Sequence, residues 1–372
     1  MIHPLISELN NLSKLENNDD KYQSFFKYVT ENNILYKKQG ELSIFKYNKL
    51  AKHGSELQRF SRGVIINMKE KKILCSSIDG DISYNCFKES VPIEYCVIEE
   101  NIEGTMLNVY YYNNRWNVST KFCINADESK FRTSKSFRQI LDSHIDIYKL
   151  KLDKNYTYSF VLSNSELDNK TSLYHIETTN NITGEKINIK IADESIIKKP
   201  KILYYYNNKN NILKLNNYNQ LNQYLLDLNW NIKGYMLYSY DRKYRCSLIN
   251  NSYLKVKKLL DNQHDINYIC FDSFYYKNNM NEILKYYPEF KKNYTYINNL
   301  FKKLLNLTET IYVNTKCKKK NISIPIFLER SIRHIHQIYK QNYNSKITKE
   351  DIKSYFLNKN PSLVYSLLLH IQ

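Results

Sequence analysis

Four short segments carry residue types suited to holding phosphate: Ser61-Arg62-Gly63, Asn101-Ile102-Glu103-Gly104-Thr105, Lys233-Gly234-Tyr235-Met236 and Lys255-Val256-Lys257. Arg62, Lys255 and Lys257 can donate charge-assisted hydrogen bonds to an anion. Glu103 adds a carboxylate that can orient a nucleotide or a neighbouring cation. The chain has only 7 glycines in 372 residues, so Gly63, Gly104 and Gly234 mark places where a side chain does not fit. On a strand, the spacing of Lys255 and Lys257 puts both on one side. Each segment also has a plainer reading. Arg62 fits a strand-end surface residue, Glu103 a turn carboxylate, and the paired lysines a coincidence in a lysine-rich chain.

The text around these segments predicts the elements that must position them. From about residue 60 to 260, short runs of β-branched and aromatic residues alternate with polar turns. They include GVIINM (63–68), YCVIEE (95–100), LNVYYY (107–112), NVST (117–120), YTYSFVL (156–162), INIKIA (187–192), KILYYY (201–206), YMLYSY (235–240) and YLKVKKL (253–259). These read as antiparallel strands. Stretches 134–152 and 219–229 read as helices. Leu5, Leu9, Leu12 and Leu15 recur at helical spacing, as do Leu300, Leu304, Leu307 and Ile311, and again Leu328, Ile332, Ile335 and Tyr339. Thr348 and Asp351 stand at capping spacing before the segment that stops at Pro361. The expected class is α+β: a helical lead-in over 1–45, a mixed domain over 46–260 with antiparallel sheets, and a small helical domain over 261–372.

In this order the segments resemble the signature of the covalent nucleotidyltransferases, the superfamily of DNA ligases, RNA ligases and capping enzymes. They are most like phage-type ATP-dependent RNA ligases and the RNA-ligase-like proteins of large DNA viruses. The family pattern is an S/C-R-G strand, K-x-[DE]-G-[ST], F-E-[LF], E-G-[VYL]-[VM] and K-x-K. Phe160-Val161-Leu162 stands at the third place. Stretches 115–141 and 281–290 also look like the viral relatives, so the resemblance covers roughly residues 55–340. It implies the nucleotidyltransferase (ligase-type) fold, a nucleotide pocket formed by Arg62, Glu103, Gly104, Lys255 and Lys257, and RNA or a nucleotide as partner.

The departures fall where the chemistry is made. In the family, a motif lysine attacks the nucleotide α-phosphate, and to do so it must lose a proton it ordinarily holds to about pH 10.4. Here Asn101 occupies that position, and a carboxamide nitrogen has no free lone pair to donate. Val161 and Lys233 stand where the third and fourth motifs carry carboxylates; Lys233 reads as a solvent-facing replacement. The resemblance therefore implies an RNA-ligase-like protein that binds RNA or a nucleotide and is catalytically impaired. Two alternatives stand beside it. One is an active ligase or capping-type transferase with a displaced nucleophile, for which Lys121 is the candidate substitute; only that enzyme would use ATP and Mg2+. The other is a structural or interaction protein that keeps only the fold. No catalytic residue and no metal ligand is assigned.

Bulk composition sets outer limits. The formal net charge is +18, and 42% of residues are hydrophobic. The first favours polyanions and the second a packed core. Only nine of the 55 basic residues are arginine, and there are 35 tyrosines with abundant asparagine and isoleucine. An AT-rich genome writes such a chain whatever its task. The seven cysteines are odd in number and include no C-x-x-C, which fits a reducing compartment and neither a disulfide framework nor a zinc module. No signal peptide or membrane span is legible. The expected location is cytoplasmic: the host cytoplasm or a viral factory, if the protein is viral. Lys316, Lys318, Lys319 and Lys320 form a basic run that suits nucleic acid or a solvated loop. His334 and His336, two apart on a helix, suit structure rather than metal. No P-loop, G-x-G-x-x-G or H-E-x-x-H motif is present.

Overall fold

The structure is a computed structural model. It describes residues 3–371 apart from 15–21, 49–54, 131–134, 165–170, 188, 190, 193–194, 207, 261–264, 277–279 and 342–346. The contacts divide the chain into Met1–Leu254 and Lys255–Gln372. The strands in chain order are β1 Ile34–Gln39, β2 Leu42–Tyr47, β3 Arg62–Asn67, β4 Lys72–Cys75, β5 Cys96–Glu100, β6 Thr105–Tyr112, β7 Arg115–Thr120, β8 Tyr156–Asn164, β9 Thr171–Asn180, β10 Lys186–Ile187, β11 Ile202–Tyr205, β12 Gly234–Ser239 and β13 Arg245–Ile249. They form three sheets, ordered β1-β2-β3-β4, β10-β9-β8-β6-β7 and β11-β5-β12-β13. Every strand pair within them is antiparallel.

Alternation along the strands decides which faces are apolar. In the third sheet, Ile98, Tyr235, Leu237, Cys246 and Leu248 are buried with Phe87 of α4 (Tyr84–Ser90) and Leu221 of α6 (Tyr218–Leu226). In the second, Leu107, Val109, Phe160 and Leu162 are buried with Leu141 of α5 (Phe137–His144). In the first, Phe45, Val64 and Ile66 meet α1 (Pro4–Leu12) and α2 (Gln23–Glu31), while Ile44 and Ile65 meet Tyr110 of the second sheet. Burying each such Leu, Ile or Phe stabilises the fold by about 1.5–3 kcal/mol. The residues between them, Glu99, Met236, Tyr238 and Arg245, lie on the opposite face of the third sheet, and they build the site described below.

Three expectations change. The lead-in is helical only as far as Glu31. Ile34 to Tyr47 is a hairpin, turned at Gly40 with φ 59°, and the helices before it pack on its sheet. The stretch 134–152 breaks after His144, because Ile145 is extended and Asp146 caps a new short turn at Tyr148 N–H. Of INIKIA only Ile187 continues a strand, while positions 188 and 190 lie outside the described residues.

The second unit is helical. α8 (Ile266–Tyr275), α9 (Met280–Tyr286), α10 (Lys291–Tyr312), α11 (Ile326–Gln341), α12 (Lys349–Leu357) and α13 (Pro361–Leu369) follow the short α3 (Glu56–Phe60) and α7 (Asn251–Lys258) of the earlier chain. Leu300, Leu304 and Ile311 of α10 are buried, as are Leu328, Ile332 and Ile335 of α11. Thr348 and Asp351 form a reciprocal capping box at the start of α12. No helix among the described residues is long and apolar enough to cross a membrane.

Candidate functional site

The polar face of the third sheet is built by strand register. β5 pairs with β12, placing Glu99 opposite Met236 and Glu100 opposite Tyr235. Just past β5, the Asn101 N–H donates to the Gly234 carbonyl at 3.1 Å, and the Asn101 carboxamide Nδ2 donates to Ser247 Oγ at 2.6 Å. Asn101 is buried. Its amide is thus fixed to β13, with its nitrogen used as a donor.

Two glycines permit this convergence. A Cβ on Gly234 would lie 2.1 Å from the Leu248 carbonyl oxygen, and one on Gly104 would lie 2.2 Å from the Leu162 carbonyl oxygen. No side chain fits at those distances, so the backbones touch only because glycine stands there. Gly104 thus closes the loop after Asn101 onto β8 beside Val161, and Gly234 closes β12 onto β13.

Around Asn101 the charged groups gather from distant parts of the first unit. Lys233 Nζ donates to the Ile102 carbonyl at 3.4 Å. Arg245 Nε donates to Asp81 Oδ1 at 2.7 Å and its Nη2 to Met236 Sδ at 3.4 Å. Arg62 Nη1 donates to the Asp79 carbonyl at 3.3 Å. Lys121 Nζ stands 4.8 Å from the centre of the Tyr47 ring. The electrostatics tie these groups together. Burial, then Arg62 and Lys46, push the Lys121 ammonium down to about 8, with Asp81 opposing. Burial also lowers Lys233, helped by Arg62 and Arg245 and opposed by Glu103 and Asp81. Burial alone would raise Asp81, yet Arg245, Arg62 and Lys233 together hold its carboxyl below the usual range.

Lys46, Arg62, Lys121, Lys233 and Arg245 therefore share one electrostatic neighbourhood with Asp81 and Glu103, and Arg245 also interacts with Asp79, Glu99 and Glu177. Two guanidinium nitrogens, Arg62 Nε and Arg245 Nη1, are buried without a hydrogen-bond partner. An orphaned buried donor costs about 1–3 kcal/mol, which an acceptor brought within hydrogen-bond distance would relieve. The donor set suits an anion better than a divalent metal. Asp81 is already engaged by Arg245, and no trio of His, Cys, Asp or Glu comes together among the described residues.

The structure places the sequence-predicted residues unevenly. Arg62, Asn101, Glu103, Gly104 and Lys121 fall in one neighbourhood. Lys233 points into it rather than to solvent, because its register beside Gly234 sets it against Ile102. Lys255 and Lys257 do not join on a strand. They lie on α7, where Tyr253 and Val256 are buried at helical spacing, Leu260 is buried just past its end, and Asn250 Oδ1 accepts the Ser252 N–H at the start. Residues two apart on a helix point to different sides, and both lysines belong to the second unit. The strand that pairs with β12 is β13, whose Arg245 sequence reasoning missed along with Asp81. Alternation in KYRCSLIN was the available signal: Cys246 and Leu248 are apolar, so Arg245 and Ser247 share the other face.

The lowered proton affinity of Lys121 has a direct consequence. At pH 8 about half of its side chain is the free amine, roughly a hundredfold more than for an ordinary lysine. Mass spectrometry of reductive methylation against pH should find Lys121 modified with a midpoint near 8. Arg62→Ala removes a neighbouring positive charge and should move that midpoint upward.

The chain matches no family model. Over 82 residues, 20% of its length, it is 32% identical to the immediate-early protein ICP-46 homolog of Invertebrate iridescent virus 3, of which the match spans 18%. Among solved structures it is similar to Naegleria gruberi RNA ligase. An apo mutant of that protein gives a TM-score of 0.35 at 13% identity, over 50% of this chain and 58% of that one. A mutant with AMP and Mn gives 0.34 at 12%, over 49% and 57%. The structure with PPi gives 0.32 at 13%, over 47% and 54%. The chain thus spans little more than half the length of these solved structures.

Proposed function

We propose that this chain is an RNA-ligase-like protein that binds the phosphate of a nucleotide or of an RNA strand in the cleft around Arg62, Lys121, Lys233 and Arg245, and forms no nucleotide adduct at Asn101. The supporting observation is the pair of buried guanidinium nitrogens, Arg62 Nε and Arg245 Nη1, that have no hydrogen-bond partner among the described residues and share a neighbourhood with Lys121, Lys233 and the Asn101 amide. The nucleotidyltransferase type of fold belongs to the same proposal, on the order of the motif segments and their convergence. A large DNA virus as source, with the host cytoplasm or viral factory as location, fits the composition and the iridescent-virus match.

Incubation with α-labelled ATP and Mg2+ should leave no covalent label, while ATP or a 5′-phosphorylated RNA binds reversibly. Arg62→Ala should weaken that binding at least tenfold, and affinity should fall as salt rises, because phosphate contacts release counterions. Binding that ignores both changes would leave only the structural or interaction role.

The lowered Lys121 ammonium favours one second reading. The free amine of Lys121 would attack the α-phosphorus, forming a P–N bond as the P–O bond to pyrophosphate breaks, after its proton has gone to solvent. A nucleotide adduct mapped to Lys121, and absent from Lys121→Ala, would establish that reading over the first.

A further inference from the structure

A cavity of about 760 Å³ lies within the first unit, apart from the cleft. This is within the size range of small-molecule sites, about 300–1,000 Å³. Its apolar wall is Phe60, Ile73, Pro4 and Ile6, with the His3 ring edge-on to Phe60 at 5.6 Å. Its charged lining is Arg59, Lys71, Lys72 and Lys243 against Glu56 and Glu185. Arg59 is buried, with 8% of its surface exposed. Its Nη2 donates to the Lys243 carbonyl at 3.1 Å, while its Nε has no partner. Lys71 is held by Ser13 Oγ at 2.5 Å. Lys72 and Lys243 are exposed. Burial, with Lys186 nearby, pushes His3 down to about 4, so at neutral pH its ring is an uncharged surface.

We infer that this cavity is a second binding site, for a phosphorylated nucleoside. A flat apolar body fits against Phe60 and His3. The phosphate fits the cations, with Lys72 and Lys243 at the exposed side and the Arg59 guanidinium, set over the Phe60 and Tyr244 rings, in the wall behind them. Glu56 and Glu185 can accept from ribose hydroxyls or a base amine. Neither an apolar ligand nor bare phosphate uses both halves of this lining. The site is separate from the cleft, yet two short segments serve both. Arg59 and Arg62 flank the α3–β3 junction, and Lys243 lies two residues before Arg245, the first residue of β13. The inference stands whether or not the cleft binds a nucleotide.

The test is photolabelling of the full chain with 8-azido-AMP, with the adducts mapped by mass spectrometry. Label is expected on the segments around Phe60 and Ile182. It should persist in Arg62→Ala, which disables the cleft. It should fall at least fivefold in the double variant Lys72→Glu, Lys243→Glu, whose exposed positions leave packing intact. Competition by AMP alone identifies a free mononucleotide, and competition also by 5′-phosphorylated RNA but not 5′-hydroxyl RNA identifies a strand end. Label confined to the cleft segments, unaffected by the double variant, or resistant to both competitors overturns the inference.

Discussion

Gly234→Ala is expected to remove about 3–5 kcal/mol of stability from the first unit. The backbone there has φ 134°, and the added methyl would sit 2.1 Å from the Leu248 carbonyl oxygen. Both the strained dihedral and the overlap cost about 1–3 kcal/mol each, and the neighbour is backbone, which cannot swing aside. Against a typical total of about 5–15 kcal/mol, this is enough to leave the protein largely unfolded when warmed. Gly104→Ala should behave alike, with its methyl 2.2 Å from the Leu162 carbonyl oxygen. Gly40→Ala, at a turn with open space around it, should cost only about 1–2 kcal/mol. Urea midpoints for the three variants check the ranking. Equal shifts for Gly40→Ala and Gly234→Ala would show that the close approach of β12 to β13 is not what glycine serves.

Lys186→Met should be comparably severe. Lys186 Nζ lies 3.4 Å from Asp79 Oδ2 and 3.1 Å from Glu177 Oε1, and all three side chains are nearly buried. Burial alone would lower Lys186, but Glu177 and Asp79 together raise it. Burial already raises Asp79 even with Lys186 opposing. Removing the amine leaves two carboxylates buried without their cation, at a cost of about 3–5 kcal/mol near neutral pH. The sign of the pH dependence follows. A folded-state Asp79 affinity raised above its unfolded value makes the folded variant bind more protons, so its stability increases as pH falls toward the unfolded range near 4. The deficit against wild type should therefore shrink between pH 8 and pH 5. A deficit that stays constant or widens over that range would exclude the uncompensated carboxylates as its cause. The variant should also disturb the cleft, since the Asp79 carbonyl anchors Arg62.

What could be read in advance follows a physical line. Scarce glycine located Gly104 and Gly234, because backbone contact leaves no other residue possible. Apolar spacing located α10 and α11, and the Thr348–Asp351 pair with Pro361 located α12, because those signals are local. The cleft depends instead on pairing across long separations. Lys233 looked solvent-facing because nothing near it in sequence announces Ile102, and Asp81 in I-D-G-D and Arg245 in K-Y-R stand in no motif that singles them out. The strand placement of Lys255 and Lys257 failed for a local reason that was visible: Tyr253, Val256 and Leu260 have a helical period, which outweighs alternation of two lysines. Asn101 could be assigned its place by motif order, but its bond to Ser247 required the β12–β13 register.

The cleft draws Arg62, Asp81, Asn101, Lys121, Lys233 and Arg245 from six separate stretches. During translation, its earliest cation leaves the ribosome long before its last. At about 5–20 residues per second, the nascent chain spends roughly ten seconds or more with Arg62 made and Arg245 not yet made. Throughout that interval Asp81 lacks its guanidinium and β12 its hairpin partner. The growing polypeptide therefore has no complete ligand site to offer, and recognition begins only after synthesis has passed β13.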